Sequence, residues 1–316
     1  MSPPMSFPTT PEILVQKSGV YELSLDNSAL SDFRRCMRRG AHAHIDWVQL
    51  GPSNPNAPIS QDLQFGTSIH LALDAWWRRA PLEEVEEGFI ANYGPLASHE
   101  SYNDPRRSLS AGINLLRTYN AAWVLDRENY TLLSPEFTFK VFLGKWTSPS
   151  GAPWKFFYRG RIDKVLQTSA GEIEIIDHKT TTKQNPLPEL FQISQPFLGY
   201  LWATRKTFDL APVRAWADVW VLDRQGVKPQ REDVLYRPWK INEWKSGTIR
   251  QFQRIAQSLE EFLASDSYEP FTQATESCDS WFRKCPFFQL CNASPQMRNR
   301  LLKVLYSSKG SHHLDQ

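Results

Sequence analysis

The chain has 316 residues, 41% of them apolar, and a formal charge of +2 from 36 lysines and arginines against 34 acids. That length holds one elaborated domain or two small ones, and near-neutrality excludes a global basic field, so any contact with phosphates needs a local patch. No run approaches the ~18 apolar residues of a membrane span, and Met1-Ser2-Pro3-Pro4-Met5-Ser6-Phe7 lacks the basic and apolar regions of a secretory signal, so a cytoplasmic location without a membrane partner is expected.

Residues 1–27 begin Pro-rich and are expected to be partly disordered. Asp26-Asn27-Ser28 offers cap chemistry for a helix from Ser28 to Cys36. Arg34, Arg35, Arg38 and Arg39 form a basic cluster that is either a solvated face or a contact for phosphates. Residues 51–60 read as a loop. A helix opens at Phe65-Gly66-Thr67-Ser68-Ile69-His70 and runs to about Arg79. Ile69, Leu73 and Trp76 mark one stripe of it, and His70, Asp74 and Trp77 the adjacent one. Taken alone, His70 reads first as a capped or packed histidine. Residues 82–95 and 108–125 also read as helices, so residues 28–130 form a helical segment.

Strands follow in a core spanning 131–264. Pro135 to Leu143 alternates and reads as the first. Trp154 to Leu166 and Glu172 to Thr181 form a hairpin about Thr168-Ser169-Ala170-Gly171, a turn composition. Centred on Ala170, the hairpin places Asp163 opposite Asp177. Directly opposed residues have Cβ atoms roughly 4.5–5.5 Å apart. Period-2 alternation puts Lys179, Val165 and Ile175 on the same face. Like charges this close need neutralising. A hard divalent cation does so, and a lysine beside it suits metal-assisted phosphodiester hydrolysis. The bland reading is an acidic hairpin with Lys179 bridging Asp177 at the surface.

Beyond Lys183-Gln184-Asn185-Pro186-Leu187-Pro188, a helix is expected from about Glu189 to Lys206, carrying Gln195 and Tyr200. Ala215 to Asp223 reads as a strand, with a return near Val234 to Arg237. Glu243 to Ala264 reads as a long helix with Ile249, Phe252, Ile255, Leu259, Phe262 and Leu263 inward. Residues 265–296 carry cysteines, and 297–316 read as a tail. Strands set between helices argue for an α/β sandwich with a mixed sheet.

Of the four cysteines, Cys36 stands alone, while Cys278, Cys285 and Cys291 lie close together. Four thiolates suit Zn²⁺ or an iron–sulfur cluster. Zinc sites commonly use close C-x₂₋₄-C pairs, which are absent here. Buried free thiols are the third reading.

Gly160-Arg161-Ile162-Asp163 followed by Ile176-Asp177-His178-Lys179-Thr180 resembles the PD-(D/E)XK nucleases of the RecB type, with their GxxD strand and D-x-K-T strand. Gly66 to His70 is similar to their G-x-x-x-H helix. Gln195 and Tyr200 resemble their Q-x-x-x-Y motif, although the spacing here is five rather than four and Pro196 follows the glutamine. The one-plus-three cysteines resemble the iron–sulfur staple of the branch that includes CRISPR-adaptation exonucleases and nuclease subunits of bacterial helicase–nucleases. Ser31-Asp32-Phe33-Arg34-Arg35-Cys36 matches its entry, with Met37 where a proline is usual.

The resemblance spans residues 28–291 and implies a restriction-endonuclease-like core. It implies an exonuclease on single-stranded DNA or duplex ends, acting in recombination or repair beside a helicase or recombination partner. His70, Asp163, Asp177 and the His178 carbonyl would bind Mg²⁺ or Mn²⁺. Lys179 would assist the chemistry, while Tyr200 and Gln195 would hold the substrate. Cys36, Cys278, Cys285 and Cys291 would hold a [4Fe-4S] cluster, with Zn²⁺ as the alternative. An endonuclease of the same fold, a non-catalytic DNA-binding module and a redox protein are the competing readings.

Overall fold

The structure, a computed structural model, describes residues 13–46, 48–50, 60–99, 102–182, 188–208, 211–265, 267–280 and 283–308. The proline-rich start to residue 12, most of the expected 51–60 loop and residues 183–187 lie outside the described residues.

In chain order the elements are β1 (Leu14–Lys17), β2 (Val20–Leu25), α1 (Asn27–Arg35), α2 (Met37–His44), β3 (Val48–Leu50), α3 (Gln61–Trp77), α4 (Leu82–Ala97), α5 (Leu109–Trp123) and α6 (Asp126–Asn129). Then come β4 (Tyr130–Thr147), β5 (Pro153–Thr168), β6 (Ile173–Thr181), α7 (Gln195–Phe208), β7 (Pro212–Asp223), β8 (Gly226–Leu235) and α8 (Pro238–Ser265). The short helices α9 (Phe288–Cys291) and α10 (Pro295–Leu305) follow. The chain forms two compact units.

One unit comprises Met1–Ala57, Lys140–Gly160 and Asn242–Gln316. Here β1 pairs antiparallel with β2, and β2 runs parallel to the first half of β5, Tyr21 opposite Trp154. From Leu14 onward this segment is ordered, and Leu23 and Leu25 are fully buried. Burial of those apolar residues outweighs the weak local signal of two short strands. Phe156 packs at a tilt of 42° against Phe252 of α8, ring centroids 5.2 Å apart. Phe252, Ile255, Leu259 and Phe262 form the inward stripe of α8, but Leu263 is 54% exposed. It lies one residue past the stripe, about 100° around the helix. The expected tail instead contains α10, capped by the Ser294 hydroxyl on Met297 N.

The other unit comprises Pro58–Phe139 and Arg161–Ile241. The second half of β5 pairs antiparallel with β6, β6 runs parallel to β7, and β7 pairs antiparallel with β8. The result is a mixed sheet flanked by helices. Leu166, Ile176, Trp220 and Leu222 pack on Phe65, Ile69, Leu73 and Trp76 of α3, with Phe89 of α4 and Leu116 of α5. Gly112 lets α5 press on α4, since a Cβ there would meet Phe89 Cζ at 2.1 Å. The β5–β6 turn needs Gly171, whose φ of +82° lies in the left-handed region that glycine enters at little cost.

The single helix expected over 189–206 is two pieces, a 3₁₀ turn Pro188–Ile193 and then α7 from Gln195. Pro196 lacks the N–H that a continuous helix would use, and it fits a first turn instead. The return strand β8 starts at Gly226, not near Val234, because it pairs with β7 along its whole length.

Candidate active site

The β5–β6 ladder has the expected register, Lys164 opposite Ile176 and Val165 opposite Ile175. It ends at Lys164, one residue short of the aspartates. Asp163 and Asp177 are therefore not a ladder pair. Where the strands part, the Asp163 carboxylate takes the place of the backbone partner, and its Oδ2 accepts the His178 backbone N–H at 2.7 Å. Its Oδ1 lies 3.3 Å from His70 Nδ1. Asp177 is 2% exposed, and its Oδ2 meets Lys179 Nζ at 2.6 Å. The Lys179 side chain is half exposed.

Helix α3 grips β5 twice, one turn apart. His70 reaches Asp163, and Asp74 Oδ1 lies 3.2 Å from Lys164 Nζ. That is the purpose of the His70–Asp74 stripe, since residues four apart share a helix face. Lys164 is 1% exposed and donates to its neighbour's carbonyl, Asp163 O, at 2.8 Å. Lysine is almost never fully buried unless paired. Nothing local in the sequence marks this strand lysine as internal.

Behind the acids lies a buried polar chain. His178 is 1% exposed, and its Nε2 lies 3.1 Å from the Tyr119 hydroxyl. That hydroxyl accepts from Trp77 Nε1 at 3.0 Å, leaving its own proton free to donate to Nε2. The network thus assigns the proton of a neutral His178 ring to Nδ1, 3.5 Å from Asp163 Oδ2. Beyond it, Asp218 Oδ2 accepts from Arg231 Nη2 at 2.8 Å, and Arg231 Nη1 donates to Asp126 at 2.6 Å. The guanidinium lies 3.7 Å from the centroid of the Trp123 ring. An aspartate inside the apolar run Trp216 to Leu222 was the one sequence signal for this chain.

The electrostatics follow from burial and these partners. Burial alone would raise the Asp163 carboxyl, but His70 and His178 hold it well below the usual range. Burial pushes Asp177 up; Lys179 opposes this and the Asp163 charge adds to it. Lys179 is raised, because Asp177 and Asp163 outweigh its loss of solvent. Burial lowers His178, which favours the neutral ring. Among the described residues, no three His, Cys, Asp or Glu side chains form a ready metal cage. Lys179 and His70 nitrogens sit on the carboxylates instead.

Of the other expected site residues, Gln195 is exposed at the start of α7, and no hydrogen bond joins it to the acids among the described residues. Tyr200 packs edge-on against Phe139 and Phe197, each ring centroid 6.3 Å away.

The unit containing residues 242–316 gathers the cysteines. Cys36, Cys278, Cys285 and Cys291 line one small cavity with Arg39 and Phe288. Ala274 N donates to Cys36 Sγ at 3.4 Å, and Cys285 N to Cys278 O at 2.7 Å. Burial and the other three thiols push the Cys291 thiol up to about 11, although Arg38 opposes this. The arginine cluster is largely structural. Arg38 is buried and donates to Phe271 O at 2.9 Å and Tyr268 O at 2.7 Å, and Arg39 pairs with Asp32 at 2.7 Å. Arg38 thus spends donors on the chain's own carbonyls, and Arg39 commits its Nε to Asp32. Arg34 and Arg35 remain exposed.

The profile of the PD-(D/E)XK nuclease superfamily matches residues 25–292. No curated protein sequence matches the chain. Among solved structures, one titled "Crystal structure of SSO0001" is 15% identical, with a TM-score of 0.28, over 60% of this chain and 84% of that one.

Proposed function

The chain belongs to the PD-(D/E)XK nuclease superfamily, and from that premise we propose that it is a Mg²⁺- or Mn²⁺-dependent DNA nuclease of the RecB type. The reading includes exonucleolytic cleavage of single strands or duplex ends, in recombination or repair, beside a helicase or recombination partner. A cytoplasmic place of action goes with it; no helix among the described residues is long and apolar enough to cross a membrane.

The observation that carries the reading is Asp177. Its buried Oδ2 is met by the Lys179 ammonium at 2.6 Å, and burial together with the Asp163 charge still raises its carboxyl. A buried acid pair whose charges repel each other in spite of Lys179 suits a divalent ion, for which the Lys179 and His70 nitrogens would have to make room. Asp163, Asp177, His70 and the His178 carbonyl would hold it. When bound, the ion supplies Lewis-acid activation and lowers the pKa of water. Lys179, raised by Asp177 and Asp163, stays an ammonium and faces the charge that grows on the phosphoryl oxygens. Trp77, Tyr119 and His178 keep one Asp163 oxygen occupied and the carboxylate oriented. Tyr200 and Gln195 are assigned to the substrate strand.

Cys36, Cys278, Cys285 and Cys291 line one cavity, and to them the reading assigns a [4Fe-4S] cluster, with Zn²⁺ as the alternative; the four would have to close from their present positions to hold it. Mutual charge raises the Cys278 and Cys291 thiols after burial, and thiolate–metal bonding relieves that repulsion. Its role would be to tie residue 36 to residues 278–291.

The test compares end-labelled linear with circular DNA, with and without Mn²⁺, using anaerobically purified protein. Metal-dependent loss of linear DNA that stops in Lys179→Ala supports the exonuclease. Cutting of circles points to an endonuclease, and activity unchanged in Lys179→Ala sinks the proposed site.

A further inference from the structure

Two adjoining cavities, of about 530 Å³ and 440 Å³, share Arg106 and Arg224. The larger is also lined by Thr182, Asp223, Gln225 and Lys228, and the smaller by Asn103 and Asp104. We propose that this groove is a subsite for the sugar-phosphate backbone of the nucleic acid strand cut at Asp163, Asp177 and Lys179; the proposal rests on the nuclease reading.

Charge accounting supports an anion. Asp104 accepts from Arg106 through Nε at 2.8 Å, Nη2 at 3.0 Å and the backbone N at 3.1 Å, and it also pairs with Arg107. Asp223 is taken by Lys228 Nζ at 2.6 Å and by Gln225 N at 2.7 Å. Both acids are thus committed within the groove wall. Arg224 is exposed and has no ion pair or hydrogen bond among the described residues. Its guanidinium keeps five donors in a fork that matches a phosphate. Thr182, Gln225 and Asn103 add neutral donors.

The lining also selects what part of the strand is bound. Among the described residues it contains no aromatic side chain on which a base could stack, and donors without stacking surfaces position the backbone without reading sequence. Its location links it to the acids. Thr182 directly follows the last residue of β6, three residues beyond Lys179 and within about 10 Å of it along the chain. The step is odd, so the groove opens past the end of β6, and a nucleic acid strand would pass round that end to touch both. A chain with a net charge of only +2 needs such a local patch to hold a polyanion.

The experiment measures binding of a fluorescent single-stranded oligonucleotide by anisotropy in EDTA, over a salt series. It uses the full chain, Arg224→Ala and Arg224→Glu. A small chromogenic phosphodiester, too short to reach the groove, is assayed in parallel with Mn²⁺. Arg224→Ala should weaken oligonucleotide binding several-fold and Arg224→Glu at least about tenfold. The slope of log K against log salt should shrink by about 0.7 per lost contact, with turnover of the small diester unchanged. Equal affinity and slope in all three proteins overturn the subsite, as does a wild-type chain that binds no oligonucleotide. If DNA is cut normally while Arg224→Glu binds as well as wild type, the subsite fails and the nuclease reading stands. If binding falls as expected but no phosphodiester is cut, the subsite stands as a strand-binding groove and the nuclease reading fails.

Discussion

The Asp163 carboxylate and the His178 backbone are joined by a hydrogen bond of 2.7 Å, formed where the β5–β6 ladder has ended. A side chain thus completes what the sheet leaves open. One oxygen of Asp163 is committed to the strand, while the other points to His70. This division orients the first acid of the pair before anything binds.

Charge removal at the second acid should separate stability from activity. Asp177→Asn relieves a buried carboxyl raised by burial and by its neighbour Asp163, so the metal-free protein should melt higher than wild type. Cleavage should fall on the order of 10²–10³-fold. Calorimetry in EDTA beside a DNA cleavage assay checks both; a lower melting temperature would contradict the electrostatic account.

Tyr119→Phe removes the hydroxyl that joins Trp77 Nε1 to His178 Nε2. Two buried polar atoms are then left unmatched, at a cost of about 1–3 kcal/mol each in the unrelieved case. Urea unfolding should show the loss, and kcat should drop with little change in KM, because Asp163 loses its fixed neighbour.

Arg231 neutralises Asp218 and Asp126 from inside the unit. Arg231→Leu should destabilise by about 3–5 kcal/mol, as for removal of one partner from a buried pair. Adding Asp218→Asn should recover part of that loss. A double-mutant cycle measures the recovery, and strict additivity would show the two groups to be uncoupled.

Acid and base limbs of metal-free stability should have opposite owners. Asp163 is depressed when folded, so its contribution is present above the unfolded value near 3.8 and is lost as pH falls through its folded pKa. Asp177 is raised, so its contribution is present below 3.8 and is lost as pH rises through its folded pKa. Mg²⁺ should therefore add more stability above that rise than below it. Unfolding curves across pH, with and without Mg²⁺, test the sign, and a stabilisation independent of pH would contradict it.

Cys285→Ala should lower bound metal and melting temperature together, since the thiol shares a cavity with the other three. Iron, sulfide and zinc analysis of the anaerobic protein reads the site directly. Stoichiometric zinc without sulfide would replace the cluster by its alternative.

What the chain reveals without its fold is local. The β5–β6 register follows from a turn of four residues and the two-residue period of strands, and both survive in the structure. The α3 stripe bearing His70 and Asp74 likewise follows from helix periodicity. What lay beyond the sequence depends on contacts between distant segments. Lys164 is internal only because α3 supplies Asp74. His178 meets Tyr119 only because α5 packs on the same sheet face as α3. Arg231 answers Asp218 across the β7–β8 ladder and Asp126 from a segment over a hundred residues away. Arg38 and Arg39 look like a basic surface in sequence, but the fold turns Arg38 onto its own carbonyls and Arg39 Nε onto Asp32. Local periodicity sets which face a side chain takes; only packing decides which charges become buried and what must neutralise them.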